Sequence, residues 1–289
     1  MPSPDHGDFV WINGRVTRAE DAAVSVFDRG FLYGDSLFES VLVRHGRPFR
    51  WQAHRARMAA GAGLLRMPPP AGPMLDDALD ALLRANAAGS GSVRVTLSRG
   101  PGRRGYSPRQ AGPPTLVLAW HPAVPAPERG PWQLATSPYR VLAGDPLAAC
   151  KHGSRLANVL SRAAAEEAGA DEALLLDSGG HIAETSSGNL FSIRGTGLFT
   201  PPVSGLLPGV TRGCVLEIAV PLGWEVHEQA LTPADLVASD AVFFTTSSLG
   251  VVPVGSLDGT AVGNPAVCRP IGAALDALVD RECAAAPMA

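Results

Sequence analysis

The chain has 289 residues, of which 46% are hydrophobic and 18% are charged. This length favours two domains, and the hydrophobic fraction is sufficient for packed cores rather than disorder. A formal net charge of −3 without a basic block argues against nucleic acid or an anionic membrane surface as a partner. No apolar run is long enough to span a bilayer, no secretory signal is visible, and the four cysteines are scattered. We therefore expect a cytoplasmic protein.

The first 120 residues are predicted to form a small domain of mixed helices and antiparallel strands. Asn13-Gly14, between two β-rich runs, predicts a hairpin with a type I′ turn. Hydrophobic periodicity and β-rich composition predict the later elements, which are a strand at 37–43, helices at 51–65 and 75–88, and strands at 92–98 and 115–120 that flank a Gly/Pro/Arg-rich loop at 99–114.

Four prolines between residues 119 and 132 predict a stiff linker. We place it at 121–131, between the small domain at 1–120 and a larger domain at 132–289. In the larger domain, a helix is predicted at 154–168 with Ser154 as its cap. The other predicted elements are a hairpin formed by 172–177 and 181–184, strands at 132–139, 189–193, 242–246 and 251–254, and helices at 210–220 and 265–284.

Lysine and arginine together number 24, yet the chain contains a single lysine, Lys151. Arginine can replace lysine as a solvated charge, but it cannot lose its proton near neutral pH to act as an amine nucleophile. Lys151 follows an apolar stretch that ends at Cys150, and partial burial there would favour the neutral amine that a Schiff-base lysine requires. A lysine on a loop surface is the alternative, so the neighbouring motifs must decide.

Three further motifs offer an acid and two anion-binding sites. Glu184 is an acid in an apolar context, and a carboxylate beside a heteroaromatic nitrogen keeps that nitrogen protonated. The run from Leu207 to Thr211 opens a helix whose N–H groups and hydroxyl suit a phosphate, and Thr246 and Ser247 form a hydroxyl cluster after a strand. Each motif alone is more often a turn or a helix cap, but with a lysine and an arginine they form the inventory of a pyridoxal phosphate enzyme.

Residues 100–105 have the Gly-x-Gly-x-x-Gly spacing of a dinucleotide-binding loop, but loop composition rather than a helix follows them. We therefore interpret the segment as a flexible, arginine-bearing substrate loop, with a purely structural loop as the alternative. The sequence has no P-loop, no nucleophile elbow and no His-Glu-x-x-His motif. Hydrolase chemistry and a metal site are therefore not predicted.

Asp28 to Glu39 and His54-Arg55-Ala56-Arg57-Met58 complete a set of five motifs whose order is familiar. With them the chain resembles the fold-type IV pyridoxal phosphate enzymes, the class IV aminotransferase family, over nearly its whole length. The resemblance implies an α+β / α/β fold like that of D-amino acid aminotransferase. In that fold a small α+β N-terminal domain precedes a larger pseudo-barrel C-terminal domain that carries the lysine, and the family works as a homodimer.

The resemblance also implies a role for each matching residue. Lys151 falls on the lysine that binds pyridoxal 5′-phosphate covalently, Glu184 on the acid beside the pyridine nitrogen, and Arg57 on an arginine that holds the phosphate. Leu207 matches the residue that packs on the cofactor ring. The other phosphate-binding positions match Val210, Thr211, Thr246 and Ser247.

The finer function depends on the loop at 99–114. This loop and Lys151-His152-x-x-Arg155-Leu156 resemble 4-amino-4-deoxychorismate lyases, which form 4-aminobenzoate and pyruvate in folate biosynthesis. A transaminase that acts on D-amino acids or (R)-amines with a 2-oxo acid is the alternative. A non-enzymatic protein that retains the fold is disfavoured, because Lys151, Glu184 and Arg57 are all present.

The lyase interpretation assigns the remaining candidates to the substrate. A guanidinium binds a carboxylate at two points, so the substrate's carboxylates would pair with Arg94, Arg99 and Arg104. Ser40, where the lyases usually carry threonine, is a catalytic candidate that would donate a hydrogen bond near the leaving group, as would Tyr106. Tyr33, within the opening motif, is also predicted to contact the substrate.

Overall fold

A computed structural model describes residues 6–123 and 130–284, and the chain separates into two compact units. Unit 1 comprises Met1–Pro125, Cys150–Ser154 and Val279–Ala289, and unit 2 comprises Ala126–Ala149 and Arg155–Leu278. The division therefore differs from the predicted linear one, because two short segments from the second half of the chain group with unit 1. The middle of the predicted linker, residues 124–129, lies outside the described residues.

Unit 1 is a sheet with two long helices. Its described elements are β1 (Phe9–Ile12), β2 (Arg15–Arg18), α1 (Arg29–Tyr33), β3 (Ser36–Arg44), β4 (Arg47–Pro48), α2 (Trp51–Leu64), α3 (Gly72–Ala85), β5 (Gly91–Ser98) and β6 (Thr115–Pro122). The six strands are antiparallel in the order β2-β1-β6-β5-β3-β4. Asn13 and Gly14 both have positive φ, as the predicted type I′ turn requires.

Side chains of β3 and β5 alternate between two faces of this sheet. One face is apolar apart from Glu39 and packs in a common core with the buried leucines of α3, which recur at helical spacing. Burying each such side chain contributes roughly 1.5–3 kcal/mol. The opposite face carries half-buried and exposed side chains, among them Phe38, Ser40 and Arg94. The alternation thus separates the residues that hold the sheet from those available to a ligand.

Unit 2 is built around a mixed sheet. Its described elements are β7 (Trp132–Val141), α4 (Leu156–Glu167), β8 (Glu172–Asp177), β9 (Ile182–Thr185), β10 (Asn189–Arg194), β11 (Gly197–Thr200), α5 (Val210–Ala219), β12 (Glu225–Glu228), α6 (Pro233–Val237), β13 (Ala241–Thr246), β14 (Gly250–Leu257), β15 (Thr260–Ala261) and α7 (Arg269–Cys283), whose end belongs to unit 1. The described strand order is β12-β11-β10-β13-β14-β7-β8-β9, with β15 beside β14.

Two local predictions in unit 2 are corrected by the structure. Helix α4 begins at Leu156 and is preceded by Arg155 without a side-chain cap, so Ser154 does not have the predicted capping role. Short elements such as β11, β12 and α6 were not predicted, because four or five residues show too little periodicity to be recognised. No helix within 6–123 and 130–284 has the length and apolar character needed to cross a membrane.

Candidate active site

Lys151 lies in a short extended segment along the free edge of β3 in unit 1. The Phe38 N–H donates to the carbonyl of Lys151 at 2.8 Å, and the Gly153 N–H donates to the carbonyl of Ser36 at 2.7 Å. The residue before the lysine, Cys150, is buried, whereas Lys151 itself is half-buried. The backbone is therefore fixed by strand-like hydrogen bonds, and this pairing explains why residues 150–154 group with unit 1.

The Phe38 ring is the centre of a small group of candidate residues. Lys151 Nζ lies 4.5 Å from the ring centroid, and the guanidinium carbon of Arg94 lies 4.0 Å from it, both within cation–π distance. Ser40 is two residues further along β3 and is directly opposite Arg94 in β5. Unit 1 thus brings Lys151, Ser40 and Arg94 together on one face around Phe38, which the sequence analysis did not name as a site residue.

Arg57 lies on α2 and is held by a buried acid from β3. Its Nε donates to Glu39 Oε1 at 2.9 Å, and its Nη2 donates to Glu39 Oε2 at 2.6 Å. His54, one helical turn earlier, places Nδ1 2.7 Å from the same Oε2. Glu39 and His54 are each 1% exposed. The sequence analysis missed both, although a single acid in an apolar strand and a His-x-x-Arg pair on one helix face were visible signals.

Protonation states within this group follow from burial and hydrogen bonding. Burial opposes ionisation of Glu39, but hydrogen bonds from Arg57 and His54 outweigh it and lower the pKa of the carboxyl. Burial lowers the pKa of His54, although its hydrogen bond to Glu39 works in the opposite direction. A carboxylate can only accept, so the neutral imidazole carries its proton on Nδ1. At neutral pH the group is therefore one carboxylate that accepts from an arginine and a neutral histidine.

Arg99 forms the base of the loop at 99–114 rather than presenting its charge. Its Nε donates to Asp35 Oδ2 at 2.7 Å, its Nη2 to the carbonyl of Leu65 at 2.7 Å, and its Nη1 to the carbonyl of Arg66 at 3.1 Å. Hydrogen bonds from Arg99 and Arg29 outweigh burial and lower the pKa of Asp35. These contacts give Arg99 a structural role at the base of the loop, and its pairing with a substrate carboxylate stays a prediction.

The tip of the same loop is supported by Arg29, which is 4% exposed. Its Nη1 and Nη2 donate to the carbonyls of Gly105 and Tyr106 at 2.9 and 3.0 Å. The Tyr33 hydroxyl accepts from the Gly105 N–H at 3.0 Å, and the rings of Tyr33 and Tyr106 are 5.5 Å apart. The Tyr106 side chain and Arg104 remain exposed, with Tyr106 at 86%. The loop backbone is therefore hydrogen-bonded at Gly105 and Tyr106, and its tip is exposed, cationic and aromatic.

Glu184 lies on β9 in unit 2, between two buried neighbours. Ala183 and Thr185 are 3% and 0% exposed, and Glu184 is half-buried. Thr185 begins a turn over residues 185–188, in which its Oγ1 accepts from the Gly188 N–H at 2.9 Å. The position of Glu184 is thus fixed by the strand on one side and by this turn on the other.

The turn at 185–188 is held by a fully buried acid, Glu172 on β8, which is 0% exposed. The carboxylate of Glu172 accepts from the Ser186 hydroxyl, from the Ser187 hydroxyl at 2.6 Å and from Arg162 at 3.0 Å. Asn158 Nδ2 donates to the carbonyl of Ser186 at 2.9 Å. A buried charge requires such partners, and here they fix a turn that the sequence analysis described only as small hydroxyl residues.

Asn189 joins the two predicted phosphate-binding segments of unit 2. Its backbone pairs with Thr245 in the register of β10 and β13, and its Nδ2 donates to the carbonyl of Leu207 at 3.1 Å. A Cβ on Gly209 would lie only 2.0 Å from Asn189 Oδ1, so the chain can approach this closely only at a glycine. Sequence reasoning missed Asn189, because its role appears only once the strands are paired.

Helix α5 and the end of β13 supply the donors of this region. Gly209 precedes Val210 as the N-cap without a side-chain cap bond, and such a helix start is a site for anions. Thr211 is buried in the first turn, while Thr246 and Ser247 are half-buried at the end of β13. The Thr246 Oγ1 accepts from the Leu249 N–H at 3.0 Å. Through Asn189, unit 2 brings both predicted phosphate-binding segments into one neighbourhood.

The donors of each unit suit pyridoxal 5′-phosphate. Unit 1 supplies the amine of Lys151 beside an aromatic ring and the guanidinium of Arg57 in a buried ion pair. Unit 2 supplies the carboxylate of Glu184, hydroxyl groups and the N-terminus of α5, whose N-cap position accommodates only glycine. An amine, a pyridinium partner and phosphate ligands are the three groups that this cofactor needs from a protein.

Comparisons with known proteins point to one enzyme family. Residues 36–257 match the family model described as Amino-transferase class IV. A putative branched-chain-amino-acid aminotransferase of Methanocaldococcus jannaschii is 35% identical over 262 residues, which cover 89% of this chain and 91% of that protein. An aminodeoxychorismate lyase of Vibrio harveyi is 35% identical over 260 residues, which cover 86% of this chain and 90% of that protein.

Two solved structures confirm the predicted fold. The branched-chain amino acid aminotransferase from Escherichia coli superimposes with a TM-score of 0.87 at 30% identity, covering 94% of each chain. The 4-amino-4-deoxychorismate lyase from Pseudomonas aeruginosa gives 0.83 at 32% identity, covering 94% of this chain and 99% of that one. Both belong to fold-type IV. The chain is therefore a member of the class IV aminotransferase family, whose enzymes use pyridoxal 5′-phosphate.

Proposed function

We propose that this enzyme is a lyase that converts 4-amino-4-deoxychorismate to 4-aminobenzoate and pyruvate. The observation that carries the proposal is the tip of the loop at 99–114, where the side chains of Arg104 and Tyr106 are exposed. Arg29 and Tyr33 hold the backbone of this tip by hydrogen bonds. The substrate carries two carboxylates, and spaced guanidinium groups are the donors that bind carboxylates at two points. Arg94, above the Phe38 ring, is a second cation on the site face of unit 1.

Two residues would perform the proton chemistry. When bound, the cofactor supplies an electron sink for the carbon that bears the substrate's amino group. Lys151 would hold the cofactor and, once displaced by the substrate amine, would remove the proton from that carbon as a general base. Glu184 would keep the pyridine nitrogen protonated. Ser40 would donate a hydrogen bond near the pyruvate leaving group, together with Tyr106.

The remaining candidates would hold the cofactor in place. Arg57 would pair with its phosphate, and Leu207 would pack on its ring. The other proposed phosphate ligands are Val210, Thr211, Thr246 and Ser247. The start of α5 without a side-chain cap supports this assignment, because the backbone N–H groups of a helix N-terminus bind anions.

A transaminase is the second candidate function. It is favoured by the relatives named as branched-chain aminotransferases, one of which matches 89% of this chain at 35% identity. The residues proposed to bind the cofactor would serve both reactions, because each begins with proton removal beside the amino group. The substrate-binding residues of unit 1 therefore decide between the two candidates.

Purified holoenzyme incubated with 4-amino-4-deoxychorismate tests the proposal directly. We expect 4-aminobenzoate and pyruvate in equal amounts, measured by chromatography and by a coupled pyruvate assay. Parallel reactions contain 2-oxoglutarate with either D-alanine, an (R)-amine or a branched-chain L-amino acid. Rapid glutamate formation in one of these reactions, without 4-aminobenzoate from the first, would replace the lyase by the transaminase.

We also propose that the enzyme is a cytoplasmic homodimer. Support for the dimer comes from unit 1, where Val26, Phe27 and Phe31 are 65%, 66% and 74% exposed, an unusual accumulation of large apolar side chains in one short segment. Light scattering after gel filtration should give about twice the chain mass. A monomer at micromolar concentration would contradict this part of the proposal.

A further inference from the structure

The ion pair next to β3 in unit 1 is more deeply buried and makes more hydrogen bonds than a phosphate-binding arginine alone requires. Glu39 and His54 are each 1% exposed, and the side chain of Arg57 is 9% exposed. Removing three polar groups from water is costly unless their hydrogen bonds are satisfied. A group of this kind in an otherwise apolar core therefore calls for a specific explanation.

The geometry restricts the guanidinium of Arg57 in both position and plane. Two parallel hydrogen bonds, at 2.9 and 2.6 Å, join its Nε and Nη2 to the two oxygens of Glu39. Such a two-point contact fixes the orientation of both planar groups. His54 Nδ1 lies 2.7 Å from Oε2 of the same carboxylate. His54 therefore restrains the orientation of Glu39, and Glu39 in turn restrains the orientation of Arg57.

The same strand also sets the position of Lys151. The residue before Glu39, Phe38, donates its N–H to the carbonyl of Lys151 at 2.8 Å. Adjacent residues of β3 therefore locate the lysine through the backbone and the arginine through a side chain. A shift of Glu39 would change the spacing between the two groups that the cofactor's aldehyde and phosphate require.

The charge of Glu39 acts against the binding of an anion, because a carboxylate next to Arg57 offsets part of its attraction for phosphate. Orientation and charge thus have opposite effects on affinity. Glu39→Gln removes the charge and replaces one of the two oxygens that accept from Arg57 with an NH2 donor, so the sign of the affinity change shows which effect is larger.

We propose that Glu39 and His54 are positioning residues, which orient Arg57 for the phosphate of pyridoxal 5′-phosphate without contacting the cofactor themselves. The proposal rests on the assignment of Arg57 to the phosphate made above, and it holds for either candidate reaction. Its consequence is that loss of Glu39 weakens binding of the phosphorylated cofactor although a negative charge has been removed.

Titration of the full-length, cofactor-free protein with pyridoxal 5′-phosphate and with pyridoxal, followed by protein fluorescence, tests this consequence. Pyridoxal lacks the phosphate and reports on the rest of the site. Arg57→Ala should weaken the phosphorylated form by about 10- to 100-fold, as expected for one charge-assisted pair, and Glu39→Gln by roughly 3- to 30-fold. Both variants should leave pyridoxal affinity unchanged.

A double-mutant cycle gives the readout that a merely structural role would not produce. In the Arg57→Ala background, Glu39→Gln should have almost no further effect on cofactor affinity. His54→Asn, which retains an N–H donor, should bind the cofactor nearly as the wild type does, whereas His54→Leu should resemble Glu39→Gln. Arg55→Ala is the matched control, because Arg55 lies on the same helix but pairs with Asp76 at 2.6 Å.

The outcomes separate the two assumptions. If Glu39→Gln bound pyridoxal 5′-phosphate as tightly as the wild type or more tightly, charge would outweigh orientation and the positioning role would be wrong. An equal loss in the presence and absence of Arg57 would overturn it too. Unchanged affinity in Arg57→Ala would instead refute the phosphate assignment itself. Should Glu39→Gln fail to fold, the His54→Asn and His54→Leu pair makes the same distinction.

Discussion

The turn at 185–188 in unit 2 and the loop at 99–114 in unit 1 are both candidate site segments, but they are anchored differently. Side chains of the turn are themselves bound by the buried carboxylate of Glu172. In the loop, by contrast, Arg29 and Tyr33 hold backbone groups, and the side chains of the tip remain exposed. The segment beside the proposed cofactor residue Glu184 is thus fixed in its side chains, whereas the tip of the loop proposed to bind substrate is hydrogen-bonded through its backbone and exposes its side chains.

This difference has a functional consequence. A cofactor that stays the same across a family requires the same groups in the same places, and a buried hydrogen-bond network provides them. A substrate can change when exposed side chains on a constant backbone are exchanged. The chemistry of the enzyme should therefore depend on the anchored segments and its choice of substrate on the tip of the loop.

The largest expected effect comes from Lys151→Ala. We expect turnover to fall on the order of 10⁴-fold or more, because the chain has no other lysine to replace the nucleophile. The yellow colour of the holoenzyme should also be absent, and borohydride should attach no cofactor to the protein. A Lys151→Ala protein that stays yellow after dialysis and keeps the reduced cofactor bound by mass spectrometry would contradict the assignment.

Next in size is Glu184→Gln, which tests the other proposed catalytic residue on an anchored segment. An amide cannot keep the pyridine nitrogen protonated, so kcat should fall on the order of 100-fold or more. Cofactor affinity should change much less than kcat, since Glu172 holds the turn at 185–188 and is unchanged in this variant. Parallel titration and steady-state kinetics measure both. Wild-type kcat in this variant would remove Glu184 from the mechanism.

The anchored and exposed segments also differ in what their sequences could reveal. The strands and long helices followed from periodicity and turn residues, and Lys151 was proposed as the cofactor lysine because it is the only lysine in the chain. Glu39 and Glu172 were missed, because the side chains that mark each of them as a partnered buried acid lie 10 to 18 residues away in the chain. Arg99 was predicted to bind the substrate because the sequence alone does not show that Asp35 and two backbone carbonyls accept hydrogen bonds from it.

Arg104→Ala addresses the exposed tip and should have an intermediate effect. If the tip binds a substrate carboxylate, the variant should lose about 1.5–3 kcal/mol of transition-state stabilisation, or roughly 10- to 150-fold in kcat/KM. Cofactor affinity should remain that of the wild type, because the tip of the loop is proposed to bind the substrate and not the cofactor. Arg109→Ala, also exposed in the same loop, is the control and should be nearly neutral. Equal losses for both variants would indicate a general effect of charge rather than a specific contact.

The smallest effect is expected from Gly209→Ala, which tests whether anchoring in unit 2 serves the cofactor. The new Cβ would lie 2.0 Å from Asn189 Oδ1, so Asn189 must move and its bond to the Leu207 carbonyl must weaken. Overpacking of this kind costs about 1–3 kcal/mol, and we expect it to appear as a roughly 3- to 10-fold loss of pyridoxal 5′-phosphate affinity together with a lower Tm.

The matched control is Gly213→Ala in the same helix, where a Cβ would meet no atom within 4 Å other than its chain neighbours and the backbone of its own helix. Replacing glycine by alanine inside a helix should stabilise the protein by about 0.5–1 kcal/mol, and cofactor affinity should not change. The two variants thus add the same methyl group, once against Asn189 and once into open space. If both variants bound the cofactor equally well, Asn189 would contribute only to the fold of unit 2. Fixed side chains would then not be the feature that distinguishes the segments proposed to bind the cofactor from the loop proposed to bind the substrate.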